Sequence, residues 1–146
     1  ANTSAAILRE NFNNILDKHN VPWAAYGTFS GVHLYMNKNG QTINQSTFNP
    51  HEIEYADLKN KDKELVTKLR LAMAINGVDF NNSPGAQLSA SHTQEDLDFT
   101  TEAFNEAIKM LKNDGEKKSI KLKLQHSKNA KMFKLAHTLS DLYKSR

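Results

Sequence analysis

The chain reads as an α/β (α+β) sandwich, with a small, mostly antiparallel sheet and helices packed on one face. Three observations predict it. Apolar residues recur at helical spacing in several separate stretches. Short runs rich in aromatic and β-branched residues lie between them. The resulting order is α-β-β, a loop, α-β-β-α and then β-α, which suits one sheet covered by helices on a single side.

Taken in order, Ser4 or Thr3 can cap a first helix with Ala5, Leu8, Phe12, Ile15 and Leu16 along one side. Asn20 and Pro22 end it. Residues 23–29 and 32–36 follow as strands separated by Ser30 and Gly31. They are expected to pair as neighbours; a bulge at Ser30-Gly31 would instead join them into one bent strand. Residues 37–61 are the least determined by pattern. Asn37, Asn39 and Gly40 make a turn, and residues 52–58 hold a helical turn. A connection this long is commonly functional or mobile.

Asp62 then caps a helix carrying Leu65, Leu69, Ala72 and Met73, which Gly77 stops. Residues 78–80 form a short strand candidate, residues 81–85 a Pro-Gly loop, and residues 87–90 a second short strand. Thr93 and Asp96 make a capping box for a helix with a stripe of Leu97, Thr101, Phe104, Ile108 and Leu111, ended by Gly115. Beyond it, Ile120, Leu122 and Leu124 alternate with lysines as in a half-buried strand, and Ala130, Phe133, Ala136 and Leu139 share one side of a last helix. The chain divides into a domain over residues 1–114 and a basic C-terminal extension over residues 115–146.

A length of 146 residues and 38% hydrophobic content fit one domain with its own core. Without cysteine there is no disulfide framework and no thiolate metal site. No apolar run approaches the roughly 20 residues of a membrane helix, and the expected location is cytoplasmic. The net charge of +3 is concentrated in the C-terminal lysines, which read as a solvated face rather than a contact for nucleic acid or anionic lipid. None of the six histidines pairs with another at i, i+4, so no metal is expected. The chain opens on a finished amphipathic helix, as a fragment of a longer protein would.

Three pieces carry a resemblance. W-A-A-Y-G-T-F-S-G-V-H-L-Y (residues 23–35) looks like a small-domain strand pair, and A-I-N-G-V-D-F (residues 74–80) like a helix-to-strand step. L-S-A-S-H-T-Q-E-D-L-D-F-T (residues 88–100) is similar to the pattern Leu-Ser-x-x-His-Thr-x-x-Asp-(Ile/Leu)-Asp. Together they resemble the C-terminal small domain of class-III, fold-type I, pyridoxal-phosphate (PLP) aminotransferases, in the glutamate-1-semialdehyde aminomutase-like branch. The resemblance implies the sheet-and-helix fold of that C-terminal domain. It implies a missing large domain bearing the Schiff-base lysine, a homodimer, and amino-group transfer by the intact enzyme. It also implies that this chain alone holds no cofactor and is inactive. The loop departs from the aminomutase: Pro84-Gly85 stands where that enzyme presents a carboxylate-bearing segment. No arginine lies in the motif loops.

His33, Ser83, Pro84, Gly85 and His92 are the candidates for the substrate cleft. On an alternating strand His33 points away from Val32 and Leu34. Ser83, Pro84 and Gly85 suit a cleft-lining loop. His92 either orients that loop or packs at the start of its own helix; the alternative for residues 83–85 is an ordinary tight turn, and for His33 it is solvent or a partner domain. No catalytic residue is named. The alternative reading is a stand-alone, non-catalytic interaction module with a basic tail that could bind polyanions.

Overall fold

The computed structural model describes residues 1–114. Within them the order is α1 (Asn2–Lys18), β1 (Ala24–Tyr26), β2 (Gly31–Tyr35), α2 (Tyr55–Lys59), α3 (Lys63–Ile75), β3 (Gly85–Gln87) and α4 (Gln94–Asp114). Two single-turn 3-10 helices, Gln45–Thr47 and Pro50–Glu52, interrupt the long connection between β2 and α2. The arrangement is α+β, with an open antiparallel sheet in the order β1-β2-β3. The strand and helix expected after Gly115 lie outside the described residues.

Local chemistry sets most helix ends. The expected cap of α1 by Thr3 or Ser4 is corrected, because both lie inside the helix. The Ala5 N–H donates to the Ala1 carbonyl at 2.9 Å, so the first turn closes without a side-chain cap. At the other end Asn20 turns left-handed at φ 53°. The Val21 N–H then reaches Leu16 O and the Asn20 N–H reaches Asp17 O, both at 2.9 Å. This pair of bonds is a Schellman motif. α3 starts where Asp62 accepts from the Leu65 N–H at 3.1 Å. It ends in the same motif, with Gly77 at φ +89° and bonds from Val78 to Met73 and from Gly77 to Ala74. The capping box of α4 is present in both directions. The Thr93 N–H donates to Asp96 at 2.7 Å and the Asp96 N–H donates to Thr93 Oγ1 at 3.2 Å.

β1 and β2 are a hairpin and not one bent strand: Ala24, Ala25 and Tyr26 oppose Tyr35, Leu34 and His33. The expected strand over residues 78–80 is absent. The Val78 N–H is spent on the end of α3, and the Phe80 carbonyl accepts from Arg70 Nε at 2.8 Å. The strand expected over residues 87–90 lies earlier, at Gly85–Gln87, with Gly85 opposite His33 and Ala86 opposite Val32. After Gln87 one further bond, from the Leu88 N–H to Ser30 O, is made before the chain turns away.

Alternation divides the sheet into two faces. Ala25, Val32 and Leu34 join α1, α3 and α4 in one core. At its centre Phe12 of α1 stacks on Phe104 of α4 with centroids 3.9 Å apart, and Phe80 closes the cluster at 6.1 and 6.4 Å from them. All three are buried. Replacing Phe104 by Ala should therefore cost about 3–5 kcal/mol, the range for truncating a fully buried aromatic. Urea unfolding measures it, and a loss below about 1 kcal/mol would mean the cluster is not the centre of the core.

Candidate functional site

The other face of the sheet carries Tyr26, His33 and Tyr35, and the β2–α2 connection folds back over part of it. Phe48 stacks on Tyr35 at 5.3 Å and lies 5.8 Å from Tyr26. Asn44 and Asn49 cap the two 3-10 turns through their side-chain oxygens, which gives this polar segment a fixed course. Gln45 anchors it by donating to Val21 O at 3.0 Å. Between this segment, α1 and β1 lies an open groove of about 1190 Å³.

One wall of the groove is the outer face of α1. Arg9, Asn13 and Asp17 recur at i, i+4 and i+8, so they stand in one row. Asn13 pairs its amide with the backbone of β1: Nδ2 donates to Ala25 O at 3.0 Å and Oδ1 accepts from the Ala25 N–H at 2.7 Å. Arg9 donates from Nη1 to Gly31 O at 2.6 Å and to Phe29 O at 3.3 Å, binding the hairpin tip to the helix. The facing wall mixes Ile43, Phe48, Ile53, Tyr55 and Leu58 with polar side chains such as Asn44, Ser46 and His51.

Four of the five candidate residues come together. His33 lies at the middle of β2 on the groove face, its ring 5.5 Å from that of Tyr26. Gly85 is its partner across the sheet, and the Pro84 carbonyl accepts from the Leu34 N–H at 3.0 Å. Ser83 is exposed, and Lys61 Nζ approaches its hydroxyl at 3.5 Å. Pro84 and Gly85 are buried, and none of the 83–85 loop lines the groove. Gly85 sits so close to β2 that a Cβ there would collide with the Val32 carbonyl oxygen, at φ +155°.

His92 stands apart. Its Nδ1 accepts from the Ser89 N–H at 2.9 Å and lies 3.0 Å from Ser89 Oγ, inside the turn that leads into α4. Its contacts are those of a residue ordering its own loop. Arg9, Asn13, Tyr26 and the facing wall went unnoticed among the sequence candidates. The α1 row was visible in the spacing, but a polar row opposite an apolar one is what any surface helix shows.

Burial holds the His33 imidazole below the usual histidine range, and the positive charges of Lys61 and Arg9 push it further down. Tyr26 is raised by burial alone. Asp96 is held below the carboxylate range by the Thr93 N–H and then by its hydroxyl. Among the described residues no three metal-ligating side chains converge, and no helix is long and apolar enough to cross a membrane. No protein-family model matches the sequence, and no curated protein matches it.

Two expectations follow from this geometry. Gly85→Ala should separate β3 from β2, at a cost above the about 1–2 kcal/mol of a left-handed residue alone; a variant as stable as the parent would contradict the close approach. The folded chain binds fewer protons at His33 than the unfolded chain, so stability should fall as pH drops through about 6.5. His33→Asn should flatten that part of the curve between about pH 8 and pH 5 and leave the Asp96 loss, which begins only below about pH 4. Chemical denaturation across pH reads both, and parallel curves for the two proteins would remove His33 from the account.

Proposed function

We propose that residues 1–114 are the small C-terminal domain of a class-III, PLP-dependent aminotransferase or aminomutase, and that they close over an amino-group substrate held by a larger domain. The observation that carries the reading is the stretch of residues 88–100. Its Leu-Ser-x-x-His-Thr-x-x-Asp-(Leu)-Asp pattern coincides with one folded unit: Ser89 and His92 bonded to each other, then Thr93 and Asp96 capping α4. These bonds give the pattern a defined local structure, and the resemblance itself rests on the letters.

The cofactor itself does not fit the described residues. A Schiff base needs a lysine in an enclosed site with groups that orient the ring. The groove is lined by no lysine, and Lys61 approaches the surface hydroxyl of Ser83 instead. The role left to this domain is shape. α1, α4 and the sheet pack around one core, and the face bearing His33 and the groove is the one turned away from it. The intact enzyme would be a homodimer.

A second reading has its own support. Phe48 already buries Tyr35, so the groove face is partly covered by the chain's own connection. That suits a self-contained interaction module. The coding sequence upstream of Ala1 separates the two: an in-frame domain with a PLP-binding lysine supports the aminotransferase reading, and its absence supports the module. For the chain as it stands, a titration with PLP should develop no stable, saturable aldimine absorbance. A specific band that survives gel filtration would overturn the assignment of the Schiff-base lysine to another domain.

A further inference from the structure

We infer that Arg9 and His33 form a binding site for a small monocarboxylate at the hairpin end of the groove. The inference goes beyond the proposed function, since it concerns this chain alone and stands whether or not a cofactor-bearing domain belongs to it.

The two side chains meet at Gly31. Arg9 reaches it from α1, with Nη1 2.6 Å from the Gly31 carbonyl oxygen. His33 reaches it from β2: a Cβ placed on Gly31 would stand 3.3 Å from His33 Nε2. The two groups thus approach one residue from different elements, and the Arg9 charge is near enough to act on the His33 imidazole. Both line the groove.

Their bonding leaves donors to spare. Arg9 uses Nη1 on the two backbone carbonyls of the hairpin tip, and among the described residues its Nε and Nη2 donate to nothing and no carboxylate pairs with it. The His33 imidazole makes no hydrogen bond among the described residues. A guanidinium fixed by carbonyls keeps its full charge and its planar fork, which matches the two oxygens of a carboxylate. An Nε2–H imidazole beside it supplies a further donor.

Charge selects a monoanion. Glu10 and Asp17 of α1 line the same groove, with Arg9 as its permanent cation and His51 and Tyr55 on the facing segment. Lys61 acts on His33 from outside the groove. Repulsion from Glu10 and Asp17 acts on any anion and is about twice as strong on a phosphate dianion, so a single carboxylate on the Arg9 fork is the less opposed ligand.

The test is an NMR titration of the folded chain with sodium acetate near neutral pH, holding ionic strength constant with chloride, and a parallel titration with inorganic phosphate. Saturable shifts at the His33 ring and the Gly31 amide are expected with acetate, and weaker ones with phosphate. His33→Asn and Arg9→Gln should each weaken acetate binding by about tenfold or more, followed at the Gly31 amide. If Arg9→Gln loosens the hairpin, which its amide spectrum would reveal, His33→Asn decides alone, because that side chain holds no part of the described fold by a hydrogen bond. Shifts that never saturate, acetate affinity unchanged in His33→Asn, or phosphate bound as tightly as acetate would each overturn the site.

Discussion

The structure depends on one aromatic contact. Phe12, Phe80 and Phe104 come from three distant parts of the chain and meet in the core. Large rings contribute most of the apolar area that such a meeting removes from water. The contact sets α1 against α4 and fixes the segment that follows α3. Arg70 adds to it by holding the Phe80 carbonyl. Because Phe80 stands just before the 81–84 loop, the same contact places Pro84 and Gly85 beside β2. The position of β3, and with it the surroundings of His33, follows from packing on the opposite side of the sheet.

That dependence explains what could be read in advance. The ends of α3 and α4 were legible because their causes are local: Asp62 to Leu65, Gly77 after the last turn, Thr93 with Asp96. His33 was legible because strand alternation needs only its neighbours. The third strand was misplaced because its position rests on Gly85 approaching Val32, a pairing across more than fifty residues that no local pattern records. Residues 78–80 look β-like in composition, yet an arginine side chain takes the Phe80 carbonyl a strand would use. The groove was not legible at all. Its walls are a surface-like helical row and a polar connection whose course depends on Asn caps and on Phe48 finding Tyr35.

The two faces of the sheet divide the work. Ala25, Val32 and Leu34 hold the domain together, while Tyr26, His33 and Tyr35 shape a polar and aromatic surface. The most specific piece of the resemblance, residues 88–100, covers the turn before α4 and its first turns, and the groove lies on the other side of β2 from that helix. A domain built this way can keep its stability and change what it presents, because substitutions in the groove wall leave the apolar core intact. Arg9 and Asn13 join the two, since each ties the hairpin to α1 while standing in the groove.

The amide of Asn13 has a consequence for how the protein behaves when crowded. It takes up the outward-facing N–H and C=O of Ala25 on the first edge of the sheet. On the other edge, Gly85 accepts from the Asn81 N–H of its own preceding loop. A second chain seeking to add a strand at either place must first displace a bond the molecule already makes to itself. A free sheet edge is the usual template for fibrous aggregation, and here one asparagine on a neighbouring helix occupies the outward-facing groups of Ala25 that such a template would offer.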